Sequence, residues 1–341
     1  MAEGNSMPLN YKSLTDKFGR KITDLRVSIT DRCNYRCVYC RSGEDLVQFS
    51  ELPMSDYLRM VRIFVSLGIE KIRITGGEPL LRKELLAMVG ELAKMTTASN
   101  KTLDIAVTTN GHLLANLARP LKDAGLSRIT VSMDAVDRDK FARITRVANG
   151  YDAVLAGIRA AKSTGLEPVK VNAVILRGFN EDQIVRFAQF SRDEGVIVRF
   201  IEFMPLEEER IWSPDVVVGF NEMLDTLNGF RPLVPLPATL PGETAMRYTF
   251  DDGLGEIGII APVSRAFCGA CSRIRLTSDG KLRTCLFSQS DHDLYEVMKR
   301  GGTDSDLAAF IEKTVEQKEA RHHIGEPEFL KPSRSMVHIG G

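Results

Sequence analysis

The 341-residue sequence has no net charge at neutral pH, because 45 basic residues balance 45 acidic ones. Without an excess of one sign, no overall field attracts nucleic acid or an anionic membrane, and any anion site must be local. No apolar run approaches the roughly 20 residues of a membrane-spanning helix, and residues 1–10 lack a basic segment followed by an apolar one. The apolar content of 43% is ordinary for a folded globular chain. We therefore expect a soluble, cytoplasmic protein.

Cysteine is scarce, and its six copies form two groups of three. The groups are Cys33, Cys37 and Cys40, and Cys268, Cys271 and Cys285. Two groups of three are an awkward basis for a disulfide framework. They are natural for two metal clusters in a reducing compartment.

The first cysteine group lacks a fourth ligand, since the next histidine after it is His112. A structural zinc site takes four ligands, whereas a [4Fe-4S] cluster held by three thiolates keeps one iron open for a small molecule. An incomplete zinc site and ordinary thiols stay open as alternatives. The spacing Cys-x3-Cys-x2-Cys, with Tyr39 before the last cysteine, resembles that of radical S-adenosylmethionine (SAM) enzymes.

The second cysteine group surrounds a hairpin signal, Asp279-Gly280, between two alternating segments. Folding about this turn places Cys285 opposite Arg273 and close to Cys271. A second cluster with an open iron is predicted, and a zinc site completed by His292 is the alternative. Arg273 and Arg275 share one strand face because side chains alternate along a strand.

Apolar runs and helical periodicity alternate along the first two thirds of the chain. Strands are predicted at 25–29, 71–75, 103–109, 129–133, 169–175 and 196–203, and helices at 56–67, 83–95, 113–124, 151–164 and 182–194. Consecutive βα units of this kind form a parallel sheet, as an open sheet or a partial barrel.

Polar or glycine-bearing groups follow the predicted strands, at 30–33, 76–79, 108–111, 132–134 and 202–205. In (βα) folds the site lies at the carboxyl ends of the strands, so these groups share one rim and favour a barrel-like cup. Gly76 and Gly77 allow the backbone to approach a ligand closely. Glu78 can accept hydrogen bonds from an ammonium group.

Four strands each carry a single cation among apolar residues. These cations are Arg26, Arg73, Lys170 and Arg199. Strands of a parallel sheet are normally apolar throughout, and an unpaired buried charge is costly. The cations either pair with carboxylates such as Glu202, Glu78 and Asp134, or hold a polyanion within the cup; a nucleoside triphosphate would suit the second reading.

The pattern changes after residue 227. Four prolines at 228–243 exclude a regular helix and indicate a linker or boundary. Strands are predicted at 246–250 and 256–260 and a helix at 294–318, and the tail at 320–341 looks irregular, with His322 and His323 as solvated side chains. We predict two domains: 1–227, a partial barrel with the first cluster, and 228–341, the second cluster segment, helix and tail.

The order of these motifs resembles the GTP 3',8-cyclase family of molybdenum cofactor biosynthesis. They are Cys-x3-Cys-x2-Cys, Gly-Gly-Glu-Pro at 76–79, Thr-Thr-Asn-Gly at 108–111, Phe-Ile-Glu-Phe-Met at 200–204, the Cys271-to-Cys285 segment and a terminal Gly-Gly. The resemblance implies a partial six-unit TIM-like barrel closed by the C-terminal cluster segment, and a homodimer. It also implies two [4Fe-4S] clusters with SAM as cofactors and GTP as substrate, with an external reductant and cyclic pyranopterin monophosphate synthase acting downstream.

The resemblance further implies roles for single residues. The first cluster would cleave SAM to a 5'-deoxyadenosyl radical that takes hydrogen from C3' of GTP, after which C3' attacks C8 of guanine. The expected SAM contacts are Tyr39, Gly77, Glu78, Ser132 and Met204. The expected GTP contacts are Arg26, Arg73, Thr108, Lys170, Arg199, Arg273 and Arg275. Arg273, Arg275, Gly340 and Gly341 are expected to act in catalysis.

Two rival functions use the same cysteines. A peptide-modifying radical SAM enzyme with two clusters typically has a longer, more cysteine-rich C-terminal region than the three cysteines found here. A non-catalytic redox or sensor protein would explain the cysteines, but neither the cations within strands nor the Gly-Gly-Glu-Pro group.

Overall fold

The computed structural model describes residues 13–40, 51–207, 211–240 and 242–340. Their strands form one sheet in the order β12-β11-β10-β1-β2-β3-β4-β5-β6-β9-β8-β7. The strands are β1 (Asp24–Ser28), β2 (Lys71–Thr75), β3 (Asp104–Thr109), β4 (Arg128–Ser132), β5 (Lys170–Ile175), β6 (Ile197–Glu202), β7 (Leu233–Leu236), β8 (Met246–Phe250), β9 (Glu256–Ile260), β10 (Arg273–Leu276), β11 (Lys281–Arg283) and β12 (His292–Asp293).

Helices connect most of the parallel strands. They are α1 (Met54–Ser66), α2 (Leu85–Ala93), α3 (Leu114–Asp123), α4 (Arg138–Thr145), α5 (Gly150–Ser163), α6 (Gln183–Glu194), α7 (Phe220–Phe230), α8 (Leu294–Lys299), α9 (Asp304–Glu316) and α10 (Met336–Ile339). The six predicted parallel strands and the five helices between them are confirmed within a few residues at each end. None of the helices in the described ranges is both long and apolar enough to cross a bilayer.

The centre of the sheet is parallel and extends beyond the six predicted strands. β10 pairs in parallel with β1 on one side, and β9 pairs in parallel with β6 on the other. Hydrogen bonds do not close the sheet, since β12 and β7 are its two edges. The α/β class and the consecutive βα order are therefore confirmed.

The two faces of the central strands differ in polarity. In β1, β2, β5 and β6, buried apolar residues alternate with half-buried ones, and the apolar face packs under the helices. The four cations that the sequence places among apolar strand residues thus lie on the other face of the sheet. Arg26, Arg73, Lys170 and Arg199 are half-buried there, and not enclosed in the core.

Three local predictions need correction. The sequence reading omitted α4, which begins after Asp137, whose carboxylate accepts hydrogen bonds from the N–H groups of Asp139 and Lys140. The predicted helix at 294–318 is two helices, because Gly301 adopts φ +82° between them. The predicted linker at 228–243 is partly regular, because it contains the end of α7 and strand β7.

Candidate active site

The loop that carries the first cysteine group is anchored on the helix that the sequence reading omitted. The N–H groups of Arg36 and Val38 donate to the carbonyls of Thr145 and Ile144, 3.1 and 3.0 Å away, at the end of α4. The N–H of Cys40 donates to the carbonyl of Cys37 at 3.0 Å and closes a turn. The cysteine spacing is therefore held by backbone contacts with the end of a helix.

Gly76 and Gly77 pack against the start of the same loop. A Cβ added to Gly76 would lie 2.5 Å from the Thr30 carbonyl oxygen, and one added to Gly77 would lie 2.4 Å from that of Arg32. The Gly77 N–H also donates to Thr30 at 2.7 Å. The close approach that requires these glycines is thus between two backbone segments, whereas the sequence reading had assigned it to a ligand.

Glu78 links the ends of β2 and β3. Its carboxylate is fully buried and accepts hydrogen bonds from the Thr109 hydroxyl at 2.7 Å and from the N–H groups of Asn110 at 2.7 Å and Leu80 at 2.9 Å. Burial raises the pKa of Glu78 to about 7, against these hydrogen bonds. Three of its roughly four acceptor sites are used by the protein, so one is left for the ammonium contact predicted from the sequence.

Tyr39 connects the first cysteine group to the end of β4. Its hydroxyl donates to Asp134 at 2.6 Å, and the other carboxylate oxygen of Asp134 accepts from the Val174 N–H at 2.8 Å. Burial raises the pKa of Asp134 to about 6. The loop is therefore in contact with the ends of β2 and β4, where the sequence analysis placed the rim.

The first cysteine group fits an iron-sulfur cluster better than a single metal ion. Its three thiols are half-buried and form no disulfides, and the Tyr35 N–H lies 3.4 Å from Cys33 Sγ. Burial raises the pKa of Cys37, and nearby negative charges on Asp134, Cys40 and Cys33 add to this. No three His, Cys, Asp or Glu side chains of the described ranges are arranged to hold one ion. In a cubane each thiolate binds a different iron, so its ligands need not converge on one point.

The cations converge on the polar face of the sheet. Arg73 of β2 donates to the Thr108 and Thr130 hydroxyls at 3.0 and 3.2 Å. Arg199 of β6 donates to Asn172 at 2.9 Å and reaches the same Thr130 hydroxyl at 3.4 Å. Arg73 and Arg199 thus both contact Thr130, although their strands are four positions apart in the sheet. This is possible because the sheet curves. We call this concave polar face, lined by β1 to β6 and β10, the cup.

Burial and mutual repulsion lower the pKa of Arg26 and of Lys170 in the cup. Burial, together with the charges of Arg73, Arg273 and Arg199, lowers the pKa of Arg26 to about 9. Burial, followed by the charge of Arg199, lowers the pKa of Lys170 to about 8. All of these groups are still mainly protonated at pH 7, so the cup has a concentrated positive charge.

The alternative that carboxylates neutralise these cations is not supported. Glu202 accepts from the N–H groups of Phe220, Val263 and Ser264, at 2.9, 2.7 and 2.9 Å. Glu78 and Asp134 are likewise bonded to the groups described above. Among the described residues, neither Arg26 nor Lys170 forms a hydrogen bond or an ion pair. The carboxylates proposed as partners therefore hold loops together.

The hairpin of the second cysteine group has the predicted register. β10 and β11 pair Arg275 with Arg283, and continuing this register places Cys285 opposite Arg273. Arg273 lies 3.6 Å from Cys271 Sγ through Nη2. Burial raises the pKa of Cys271, but the positive charges of Arg273 and Lys318 outweigh it and lower the pKa to about 7. This position therefore favours an anionic sulfur, as a cluster ligand requires.

The pairing of β10 with β1 brings the second cysteine group to the cup. Arg275 lies opposite Arg26, which in turn lies opposite Arg73 on β2. Because these positions are in register across three strands, the row of cations continues into the C-terminal segment. The cup thus lies between the two cysteine groups.

The described part of the C-terminal tail reaches the cup at Ile339 and Gly340, against the expectation of an irregular tail. Arg275 Nη1 donates to the carbonyls of Ile339 and Gly340, at 3.2 and 2.5 Å. Gly340 adopts φ +67°, and an added Cβ would lie 2.3 Å from Thr75 Oγ1 at the end of β2. Gly341 lies outside the described residues.

The other expected site residues occupy the rim or the tail. Ser132 is half-buried at the end of β4, in register with Asn172. Met204 follows β6 and packs against a small apolar cluster that includes Phe287 and Ile339. His322 is partly buried against the Phe287 ring, 5.2 Å between centroids, so it is not the solvated side chain predicted from the sequence.

Two buried cations near the second cysteine group were missed. Arg20 donates to the carbonyls of Cys268 at 2.8 Å and Ala320 at 2.9 Å, and it pairs with Asp16 at 2.5 Å. Lys318 is 3% exposed. In the sequence, Arg20 is a basic residue in a polar segment and Lys318 is a basic residue at the end of a helix. Basic residues at such positions are common on protein surfaces, so neither signal indicates burial.

Comparisons with known proteins agree with this geometry. Residues 27–191 match the Radical SAM superfamily, and residues 196–324 match the family described as Molybdenum Cofactor Synthesis C. A GTP 3',8-cyclase of Acidothermus cellulolyticus is 44% identical over 299 residues, which are 86% of this chain and 81% of the relative. A GTP 3',8-cyclase of Moorella thermoacetica is 39% identical over 336 residues, 96% of this chain and 100% of the relative.

Solved structures support the fold alone. The crystal structure of Streptococcus suis SuiB bound to S-adenosylmethionine matches with a TM-score of 0.60 at 12% identity, covering 92% of this chain and 76% of that one. The family models and the sequence relatives confirm the predicted family, enzyme class and cofactors. The chain belongs to the GTP 3',8-cyclases of molybdenum cofactor biosynthesis, radical SAM lyases that use S-adenosylmethionine and two [4Fe-4S] clusters.

Proposed function

We propose that this chain converts GTP to (8S)-3',8-cyclo-7,8-dihydroguanosine 5'-triphosphate within the cup. The observation that carries this proposal is a set of cations between the two cysteine groups, of which Arg26, Arg73, Lys170 and Arg199 form no ion pair with a carboxylate of the described residues. Arg26 and Lys170 form no hydrogen bond or ion pair with a described residue, so their donors are available for an anion. A triphosphate supplies the several negative charges that such a set requires.

The substrate would lie with its triphosphate on the polar face of the sheet. Its expected contacts are Arg26, Arg73, Thr108, Lys170, Arg199, Arg273 and Arg275. Arg73 and Arg199 are held by hydroxyl and amide groups that are neutral, which orients the guanidinium groups without cancelling their charge. Positioning and charge are therefore what these residues contribute to catalysis.

The side of the cup near the first cysteine group would hold SAM. Cys33, Cys37 and Cys40 would hold a [4Fe-4S] cluster, which supplies an open iron and the electron for reductive cleavage when bound. Tyr39, Gly77, Ser132 and Met204 are proposed SAM contacts at the rim. Glu78 is also a proposed SAM contact, and its carboxylate in addition joins the ends of β2 and β3.

The opposite side would orient the nucleoside. Cys268, Cys271 and Cys285 would hold the second [4Fe-4S] cluster. Arg273 and Arg275 would lie between this cluster and the phosphates, since they are on the strand that follows Cys271. Gly340 and Gly341 would bring the chain end towards Arg275 and limit the space open to the substrate.

Several finer features belong to the same proposal. We propose a partial six-unit barrel whose side opening is covered by the C-terminal cluster segment, with the domains 1–227 and 228–341. We also propose a cytoplasmic homodimer that takes electrons from an external reductant. Its product would pass to cyclic pyranopterin monophosphate synthase. Six cysteines without disulfides agree with a reducing compartment.

Anaerobic purification followed by metal and sulfide analysis tests this proposal. We expect about eight irons per chain, with matching sulfide, for two [4Fe-4S] clusters. With SAM, GTP and a reductant, the protein should form 5'-deoxyadenosine and the cyclic nucleotide. Zinc without sulfide would support the non-catalytic metal protein, and SAM cleavage that responds to a peptide but not to GTP would support the peptide-modifying enzyme.

A further inference from the structure

We propose that Lys318 is a positioning residue for the second cysteine group: its ammonium ties together the two segments that carry Cys271 and Cys285 and keeps a permanent positive charge beside both sulfurs. The inference rests on the proposed second cluster. It adds a residue that the family resemblance did not indicate. Its evidence is the burial, the hydrogen bonds and the charge of one side chain.

Lys318 follows the end of α9, where a lysine normally extends into solvent near the last helix carbonyls. Here the residue is 3% exposed, and its N–H donates to the Val315 carbonyl at 3.0 Å. The side chain therefore extends inwards. It points away from the solvent and towards the hairpin of β10 and β11.

The ammonium bridges the hairpin at the point where its ladder ends. At the end of the β10–β11 ladder that is farther from the turn, the last pair is Arg275 with Arg283. Beyond it, Lys318 Nζ donates to the carbonyl of Arg273 at 3.0 Å and to the carbonyl of Thr284. Arg273 lies two residues after Cys271, and Thr284 immediately precedes Cys285. Lys318 thus holds the two segments together where β-sheet hydrogen bonds no longer do.

The charge of Lys318 has no carboxylate partner among the described residues. Burial of an unpaired ammonium is costly, and two of its three donors are used by neutral carbonyls. The charge of Lys318 interacts electrostatically with the sulfurs of Cys271 and Cys285, which lie on the two segments that it bridges.

Arg273 also lies beside Cys271, but it is on the cup and is expected to contact GTP. Lys318 lies behind the hairpin and is held by backbone carbonyls. Its charge therefore stays in place whether or not a substrate is bound. A fixed positive charge near a cluster stabilises the reduced, more negative state.

The test compares Lys318→Met, which removes both charge and donors, with Lys313→Met as a matched control on the exposed side of α9. Both are reconstituted as the full-length holoprotein. We measure iron and sulfide before and after incubation with an iron chelator, and the midpoint potential of the second cluster by electron paramagnetic resonance. Lys318→Met should lose the second cluster at least ten times faster than the parent, while the first cluster still shows its response to SAM.

Lys318→Gln and Lys318→Arg separate charge from hydrogen bonding. Lys318→Gln keeps N–H donors without the charge, and its second cluster should be harder to reduce by about tenfold, equal to about 59 mV for one electron. Lys318→Arg should keep the parental potential. A parental potential in Lys318→Gln, or parental iron release in Lys318→Met, overturns the inference. If the parent itself holds only about four irons, there is no second cluster and the proposed function is wrong. If the parent holds about eight irons and the variants behave like it, only the role of Lys318 is wrong.

Discussion

The hydroxyl of Tyr39 donates a 2.6 Å hydrogen bond to Asp134, 95 positions later in the chain. Tyr39 precedes the last cysteine of the first group, and Asp134 follows β4. Because the second oxygen of Asp134 is held by the Val174 N–H, the carboxylate cannot turn away. The position of Cys40 is thereby tied to the central strands.

Tyr39→Phe should weaken this tie. Loss of a hydrogen bond to a buried carboxylate costs about 1.5–3 kcal/mol, because one of the two carboxylate oxygens is left without a donor. We expect a lower free energy of unfolding and faster iron loss from the first cluster. Tyr248→Phe on β8 is the control, since its hydroxyl forms no hydrogen bond with a described residue. Equal iron loss in the two variants would contradict the tie.

Asp134 should make stability depend on pH. Burial raises its pKa from 3.8 to about 6, so the native state binds the proton more tightly than the unfolded state does. The resulting stabilisation is complete below about pH 4 and is lost as the pH rises through 6, by up to about 3 kcal/mol. Asp134→Asn cannot ionise and should lack this loss.

Urea unfolding from pH 4 to pH 7 measures the effect of Asp134. The difference between parent and Asp134→Asn isolates this carboxyl, because Glu78 and other groups titrate in both. Asp123→Asn, at an exposed position of α3, should follow the parent. Parallel pH profiles for the parent and Asp134→Asn would mean that Asp134 does not titrate in this range.

The two cysteine groups should be separable by mutation. Cys33→Ser should abolish SAM cleavage and leave about four irons per chain, since a hydroxyl cannot replace a soft thiolate on iron. The same is expected for Cys37 and Cys40. Cys271→Ser, like changes at Cys268 and Cys285, should instead stop GTP turnover while the first cluster is retained. Undiminished cyclisation by Cys271→Ser would rule out the role of the second group.

Each cation of the cup should make its own contribution to the affinity for GTP. Arg26→Ala and Lys170→Ala remove no hydrogen bond seen in the described structure, so lost affinity reports on the ligand. Each charge-assisted phosphate contact is worth roughly 1.5–3 kcal/mol, or about 10- to 150-fold in Kd. Arg273→Ala and Arg275→Ala should also bind GTP more weakly.

Calorimetry with GTP and guanosine provides the comparison for these variants. Guanosine has no phosphates, so its affinity should change much less than that of GTP. Arg119→Ala on the exposed side of α3 should bind GTP as the parent does. Parental GTP affinity in all four cup variants would exclude the polyanion site.

The tail should be required for turnover but not for folding. Removal of Gly340 and Gly341, or a short tag after Gly341, should leave iron content and stability close to those of the parent. GTP cyclisation should fall sharply, because the truncated chain loses the Gly340 carbonyl that accepts from Arg275 and a tag displaces the chain end from its place. Cyclisation at the parental rate would show that the tail has no role in the site.

Gly340→Ala and Gly325→Ala form a matched pair for the tail. Both glycines have positive φ, at +67° and +82°, and share the penalty of about 1–2 kcal/mol for a side chain there. Only at Gly340 would the added Cβ meet a neighbour, Thr75 Oγ1 at 2.3 Å. Turnover should therefore fall in Gly340→Ala and stay near the parental rate in Gly325→Ala.

The sequence predicted those parts of the fold that local patterns determine. The parallel strands follow from apolar runs between amphipathic helices, and the register of the β10–β11 hairpin follows from Asp279-Gly280. The helix α4 was missed because it is short and buries only Phe141, Ile144 and Thr145. Its one clear signal was Asp137, a helix-capping residue.

Long-range contacts account for the other differences. β7 contains Pro235, which a central strand excludes, but β7 is an edge strand in which the missing N–H is tolerated. The tail is ordered by contacts with distant residues, such as the ion pairs of Arg334 with Asp279 and Asp291. No local pattern in the tail indicates these partners, so its position in the cup was not predictable from composition.

The parallel pairing of β1 with β10 also has a consequence for biosynthesis. Asp24 pairs with Arg273, so the edge of β1 has no partner until roughly 250 further residues have been made. During that time the edge can pair with other chains. A chain that ends at residue 227 would leave both β1 and β6 in this state, and we expect it to aggregate. The segment with the second cysteine group thus protects the nascent sheet as well as the active site.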